Sequence, residues 1–160
     1  VKETSVFQRG WPAFPAEWRD AALSAPVQEL RELRAAVNRV LEDCRSRQEL
    51  GASLEAAVRI DARRPELQAA LSWLSQTGDA EVDGLRDWLL VSQLQIGGEP
   101  WAELLASQDD ELASIEVSRA RGTKCERCWH YEGDVGQHPE HPHICGRCVG
   151  VLERRTHQLA

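Results

Sequence analysis

Apolar residues recur at three- and four-residue steps from Val27 through Leu30, Leu33, Val37, Val40 and Leu41 to Cys44. That is one stripe along an amphipathic helix. Pro26 suits its first turn, Glu29 can support its N-terminus, and Gly51 is the expected stop. Cys44 lies on the stripe, so it reads as a small buried hydrophobe rather than a nucleophile. The period then changes. In SLEAAVRIDA (53–62), Leu54, Ala56, Val58 and Ile60 alternate with Glu55, Ala57, Arg59 and Asp61, which predicts a half-buried strand. RRPELQAALSWL (63–74) returns to a helical period, with Pro65 in its first turn and Leu67, Ala70, Leu71 and Leu74 facing inward. QTGDAEVDG is turn chemistry, 85–96 ends a short helix and enters a strand, GGEPW (97–101) is a loop, and 113–120 alternates as another strand.

Before the long helix, GWPAFPAEW sets two prolines, a glycine and three aromatics within nine residues. It reads as an irregular apolar strap lying on a helix surface. The fold class that follows is α+β: a long amphipathic helix leading into a small α/β unit, followed by a C-terminal four-cysteine module. The expected divisions are 1–52, 53–121 and 122–160.

Composition narrows the class. The 160 residues are 42% hydrophobic and 28% charged, ordinary for a globular chain. No apolar run approaches the roughly 20 residues of a membrane span, and the N-terminus shows no apolar signal region. A chain that starts at Val1 and contains no methionine is expected to be a piece of a longer protein. Charge is uneven: residues 1–118 hold 12 Lys+Arg against 21 Asp+Glu, and residues 119–160 hold 7 against 5. The balance therefore passes from −9 to +2, and contact with a polyanion is expected where the sign turns.

The chemistry sits in that last segment. Cys125/Cys128 and Cys145/Cys148 form two Cys-x-x-Cys pairs with sixteen residues between them. The spacing fits a zinc site in a reducing compartment better than a disulfide framework. Each pair brings two thiolates to one ion, and the closed four-sulfur shell leaves no open position for catalysis. One structural zinc is expected. Gly146 after Cys145 leaves a knuckle amide free to turn toward sulfur. His130, His138, His141 and His143 are close enough in sequence to keep a Cys₃His set as an alternative. A thioredoxin-like redox pair does not fit two facing pairs. Lys124, Arg127 and Arg147 flank the cysteines, and Trp129, His130 and Tyr131 follow the first pair. Cations hold phosphates and flat rings stack on unpaired bases, so Lys124, Arg127, Trp129, His130 and Arg147 are candidate nucleic-acid contacts. The competing reading is that Trp129 is the tiny core of the module and the cations are solvated. No glycine-rich phosphate loop and no nucleophile elbow occurs, so no catalytic residue is assigned.

Several segments, in order, resemble the C-terminal portion of bacterial isoleucyl-tRNA synthetases: TSVFQRGWP (4–12), LRAAVNRVLEDCRSRQELGASLEA (33–56), LLVSQLQI (89–96), and KCERCWHYEGDVG with CGRC. The resemblance spans nearly the whole chain, and its last block is the most specific. It implies that the long helix closes the anticodon-binding domain and that the zinc module approaches the anticodon of isoleucine tRNA. It implies Cys125, Cys128, Cys145 and Cys148 as ligands, and a cytoplasmic monomer working with the catalytic portion of the synthetase. The family's His-x-Gly-His and Lys-Met-Ser-Lys-Ser signatures and its editing domain are missing here, so ATP would be used only in the missing catalytic domain. The alternative is an independent zinc-finger protein that binds nucleic acid; a third reading leaves the zinc a purely structural role.

Overall fold

The computed structural model describes residues 5, 7, 10–11, 13–77 and 84–158. Helix α1 (Ser24–Ser46) buries Leu30, Leu33, Ala36, Val37, Val40, Leu41 and Cys44, the stripe expected from the sequence. Its stop is not Gly51. The backbone reverses at Gln48, whose φ is 60°. Gln48 N–H donates to Arg45 C=O and Glu49 N–H to Cys44 C=O, both at 2.9 Å. These two bonds satisfy the last carbonyls of the helix in a left-handed C-terminal cap, and Leu50 is buried just beyond. Glu29, expected to support the helix start, instead reaches the Arg64 guanidinium at 3.1 Å.

Strand β1 (Ala56–Ala62) is followed by α2 (Pro65–Thr77), α3 (Gly84–Leu89), β2 (Gln93–Ile96), β3 (Ala106–Asp109) and β4 (Ala113–Arg119). The four strands form one sheet in the order β2-β1-β4-β3. β1 runs parallel to β2 and antiparallel to β4, and β3 and β4 make a hairpin. The parallel β1–β2 pair needs a crossover, and α2 and α3 supply it. One core joins Val58 and Ile60 of β1 and Ile115 and Val117 of β4 to Leu33, Val37 and Leu41 of α1 and Leu67 and Ala70 of α2. The long helix and the α+β unit therefore share their apolar interior across residue 52.

Three expectations change. β1 is not half-buried, because residues 56–60 are buried on both faces. As a central strand it carries Val58 and Ile60 toward the helices, while Arg59 lies under the loop that follows β2. Arg59 and Glu116 are cross-strand partners, 3% and 7% exposed, with Nη1 3.2 Å from Oε1. Arg59 also donates to the carbonyls of Gly97 and Gly98, and Glu116 Oε2 accepts the Trp101 N–H at 3.0 Å. β3 is not expected from the sequence because ASQD lacks the branched and aromatic residues that mark strands; its pairing with β4 supplies what propensity does not. Finally, the aromatic strap does not lie on a helix: Trp11, Phe14 and Trp18 are all exposed. Position 12 of that segment, the preceding positions 1–4, 6 and 8–9, and most of the expected turn (78–83) lie outside the described residues.

The module after residue 121 has a two-stranded ribbon, β5 (Thr123–Lys124) against β6 (Tyr131–Glu132), and helix α4 (Gly146–Gln158). Gly122 has φ +102°, and a Cβ there would lie 2.5 Å from the Glu132 carbonyl oxygen. Only glycine fits this close approach at the entry to the ribbon. Among the described residues no helix is long and apolar enough to cross a membrane.

Candidate metal centre and nucleic-acid interface

The first knuckle is closed by Cys125 N–H donating to His130 C=O at 2.8 Å and Trp129 N–H to Cys125 C=O at 2.9 Å. The turn requires a left-handed residue, and Trp129 fills it with φ 69°. The second pair is placed by α4, whose first turn contains Cys148. Thus one pair sits on a tight hairpin turn and the other at the start of a helix.

The four sulfurs converge. All lie within 4.8 Å of one another. Cys125 and Cys148 sulfurs are 3.8 Å apart, and those of Cys128 and Cys145 are 3.7 Å apart. No disulfide links them. A tetrahedral zinc with bonds of about 2.3 Å to sulfur sets its ligands about 3.8 Å apart, so the spacing suits a thiolate zinc site. Cys125, Cys145 and Cys148 are buried, with Val135 and Ile144 packed against the cluster. Burial pushes the Cys125 thiol up, but the amides of Cys128, Cys145 and Arg127 outweigh it and hold it down at about 6. Burial pushes Cys145 up to about 11 and Cys128 upward as well. One sulfur is thus already favoured as thiolate, and a cation supplies the field that the others need to lose their protons. The module holds one structural zinc.

The histidines stand outside the sulfur cluster. His138 Nε2 lies 3.1 Å from Asp134 Oδ2, and exposed His143 lies 3.9 Å from Glu126. Among the described residues, the cluster able to hold a metal contains the four cysteines and no histidine. The knuckle amide that turns to sulfur is that of Cys145, which donates to Cys125 Sγ at 3.4 Å, while the Gly146 amide takes another partner. It donates to Asp134 Oδ2 at 2.7 Å, and a Cβ on Gly146 would collide with that same oxygen. The glycine therefore makes room for a carboxylate at the N-terminus of α4, where the helix dipole favours it. Burial opposes ionisation of Asp134, but the Gly146 amide and His138 hold its carboxyl below the ordinary value.

The five candidate nucleic-acid residues separate into distinct settings. Trp129 is 59% exposed, and Lys124 Nζ sits 6.0 Å from its ring centroid. These two stand together on the outside of the knuckle. Arg127 is exposed, with Nη1 3.5 Å from the Cys148 sulfur. Arg147 is half-exposed and lies 3.5 Å from Asp87 of α3. His130 departs from expectation. It is 7% exposed, its Nε2 is 4.0 Å from Asp87, and burial lowers its basicity. Its ring is turned inward and offers no face to a base.

Asp87, Arg86 and Ser92 carry no signal in the sequence as site residues, yet they anchor the module to the α+β unit. Arg86 Nη1 donates to Glu132 Oε1 at 2.9 Å and to Ser92 C=O at 3.1 Å. The buried Ser92 hydroxyl donates to Leu54 C=O and accepts the Tyr131 N–H at 2.8 Å. Apart from the Arg86–Ser92 bond, these contacts join residues about forty positions apart, so no local spacing announces them. The nearest thing to a signal is Ser92 itself, inside the LLVSQLQI block.

Comparison with known proteins agrees with this geometry. Residues 122–150 match the family described as the zinc finger found in FPG and IleRS. The chain is 83% identical over 159 residues to the isoleucine–tRNA ligase of Parasynechococcus marenigrum (strain WH8102), covering 99% of the chain and 16% of that protein. It is 72% identical over 155 residues to the same ligase of Prochlorococcus marinus (strain MIT 9313), and 38% identical over 152 residues to that of strain MIT 9301. These matches cover 97% and 95% of the chain and again 16% of each relative. The chain thus spans about a sixth of the length of the relatives it matches.

Proposed function

The chain belongs to the isoleucine–tRNA ligase family over about a sixth of those proteins' length, and from that premise we propose that it is the tRNA-contacting C-terminal region of such a ligase. Cys125, Cys128, Cys145 and Cys148 hold the zinc, and the zinc holds the knuckle that displays Trp129. The display of Trp129 beside Lys124 is the observation that carries this reading. An exposed indole in a left-handed backbone position is costly as packing and useful as a platform for an unpaired base. Lys124 and Arg127 supply charge for the flanking phosphates, and Arg147 assists from the α3 side. The partner is isoleucine tRNA, met at its anticodon end in the cytoplasm. Attachment of isoleucine with ATP belongs to the catalytic portion of the ligase, with which this region works. In the division proposed here, residues 1–52 end the anticodon-binding domain, 53–121 form the connecting α+β unit and 122–160 form the finger.

A gel-shift series tests this against the independent zinc-finger reading. Isoleucine tRNA is expected to bind more tightly than the same tRNA with an altered anticodon, and both more tightly than duplex DNA. Equal affinity for all three contradicts it.

A further inference from the structure

On the sheet face away from the helices, a groove of about 1200 Å³ is lined by Ala57, Ser118, Trp101, Leu104, Arg119 and Arg121 among others. The finger does not line it. Trp101 is fixed rather than loosely packed: its indole N–H donates to Gln95 Oε1 at 3.1 Å and its backbone N–H to Glu116 Oε2 at 3.0 Å. Arg121 is fixed through its backbone, which exchanges two bonds with the Gln93 side chain at 2.8 and 3.0 Å. That leaves its guanidinium exposed, with no acidic partner among the described residues. Arg119 is also exposed, and its nearest carboxylate, Glu55, is 3.9 Å away. Glu103 is the acid that lines the groove.

We propose that this groove is a second RNA contact, taking a single-stranded segment with a base against Trp101 and phosphates at Arg119 and Arg121. The inference rests on the reading that the finger meets tRNA, and it extends that surface onto the sheet. Charge selects the occupant. The body before residue 119 is acidic, and the sign turns positive at the residues that edge the groove. A flat ring beside two exposed guanidinium groups suits a base and its phosphates better than an apolar peptide. Continuity supports the same choice. Arg121 lies three residues before Lys124, at most about 10 Å along an extended chain, and Lys124 stands over Trp129. Arg119, Arg121 and Lys124 thus fall within one six-residue stretch that leads from the groove into the finger.

The test is titration of the zinc-loaded chain with an isoleucine tRNA transcript, following the indole N–H resonances of Trp129 and Trp101, the latter assigned with Trp101→Phe. Both are expected to shift. In parallel, the Arg119→Gln/Arg121→Gln variant is expected to flatten the slope of log K against log salt by about 1.4, or about 0.7 for each single-strand phosphate that is no longer neutralised. Arg121→Gln alone serves if the double variant loses its circular-dichroism signal, with a change of about 0.7 expected. If Trp129 shifts while Trp101 stays still, or the slope does not change, the groove proposal is overturned and the finger reading stands. If neither indole shifts, both fall.

Discussion

The Arg86 guanidinium meets the Glu132 carboxylate at 2.9 Å and ties helix α3 to the ribbon of the zinc module. Both side chains are largely buried, and the same guanidinium nitrogen also holds the Ser92 carbonyl. The finger is therefore seated on the α+β unit and does not hang from it as a loose tail. Arg86→Met is expected to lower stability by about 2 kcal/mol, since it strands a partly buried carboxylate and a carbonyl. Urea unfolding measures this, with zinc content unchanged. A loss below about 0.5 kcal/mol would show that the seat is held by the remaining contacts.

Removing a ligand tests how far the two cores are separate. The cysteine cluster shares no buried apolar residue with the core around α1 and the sheet. Cys145→Ser is expected to lose zinc and to unfold residues 122–150, because metal binding supplies most of the folding free energy of such a unit. The circular-dichroism signal of α1 and α2 is expected to persist. Loss of the whole helical signal would mean that the cores fold as one.

The buried Arg59–Glu116 pair makes the sheet sensitive to loss of either partner. Glu116→Ala leaves a guanidinium enclosed and the Trp101 amide without its acceptor, and is expected to cost about 3–5 kcal/mol. Arg59→Met/Glu116→Leu is expected to recover part of that loss, since no buried charge is left over, although the Trp101 amide still lacks its acceptor. A double variant as unstable as Glu116→Ala alone, by thermal unfolding, contradicts this.

Much of this fold is legible in the residues themselves, and the exceptions share a cause. The α1 stripe, the Pro65 start of α2 and the paired cysteines are local patterns, and local backbone geometry carries them into structure. Gln48 displaces Gly51 as the helix stop because capping bonds to Cys44 and Arg45, rather than residue preference, fix the reversal. Arg59 reads as solvent-facing because alternation shows only that a strand has two faces; what covers the second face is set by a loop nearly forty residues on. His130 reads as an RNA contact for the same reason, since the acid it faces, Asp87, lies on a helix far away in sequence. Of the candidate contacts, Trp129 and Lys124 stand together on the outer side of the knuckle, which the sequence could suggest only by adjacency.

The central claim is that the zinc holds Trp129 out as a platform for tRNA. Its most direct measurement is the affinity of zinc-loaded wild type and Trp129→Ala for isoleucine tRNA, with the zinc content of each determined alongside. The predicted result is an affinity loss of about tenfold, within the range for one missing base stack, with one zinc per chain in both proteins. Unchanged affinity with zinc intact would assign Trp129 to packing and contradict the claim.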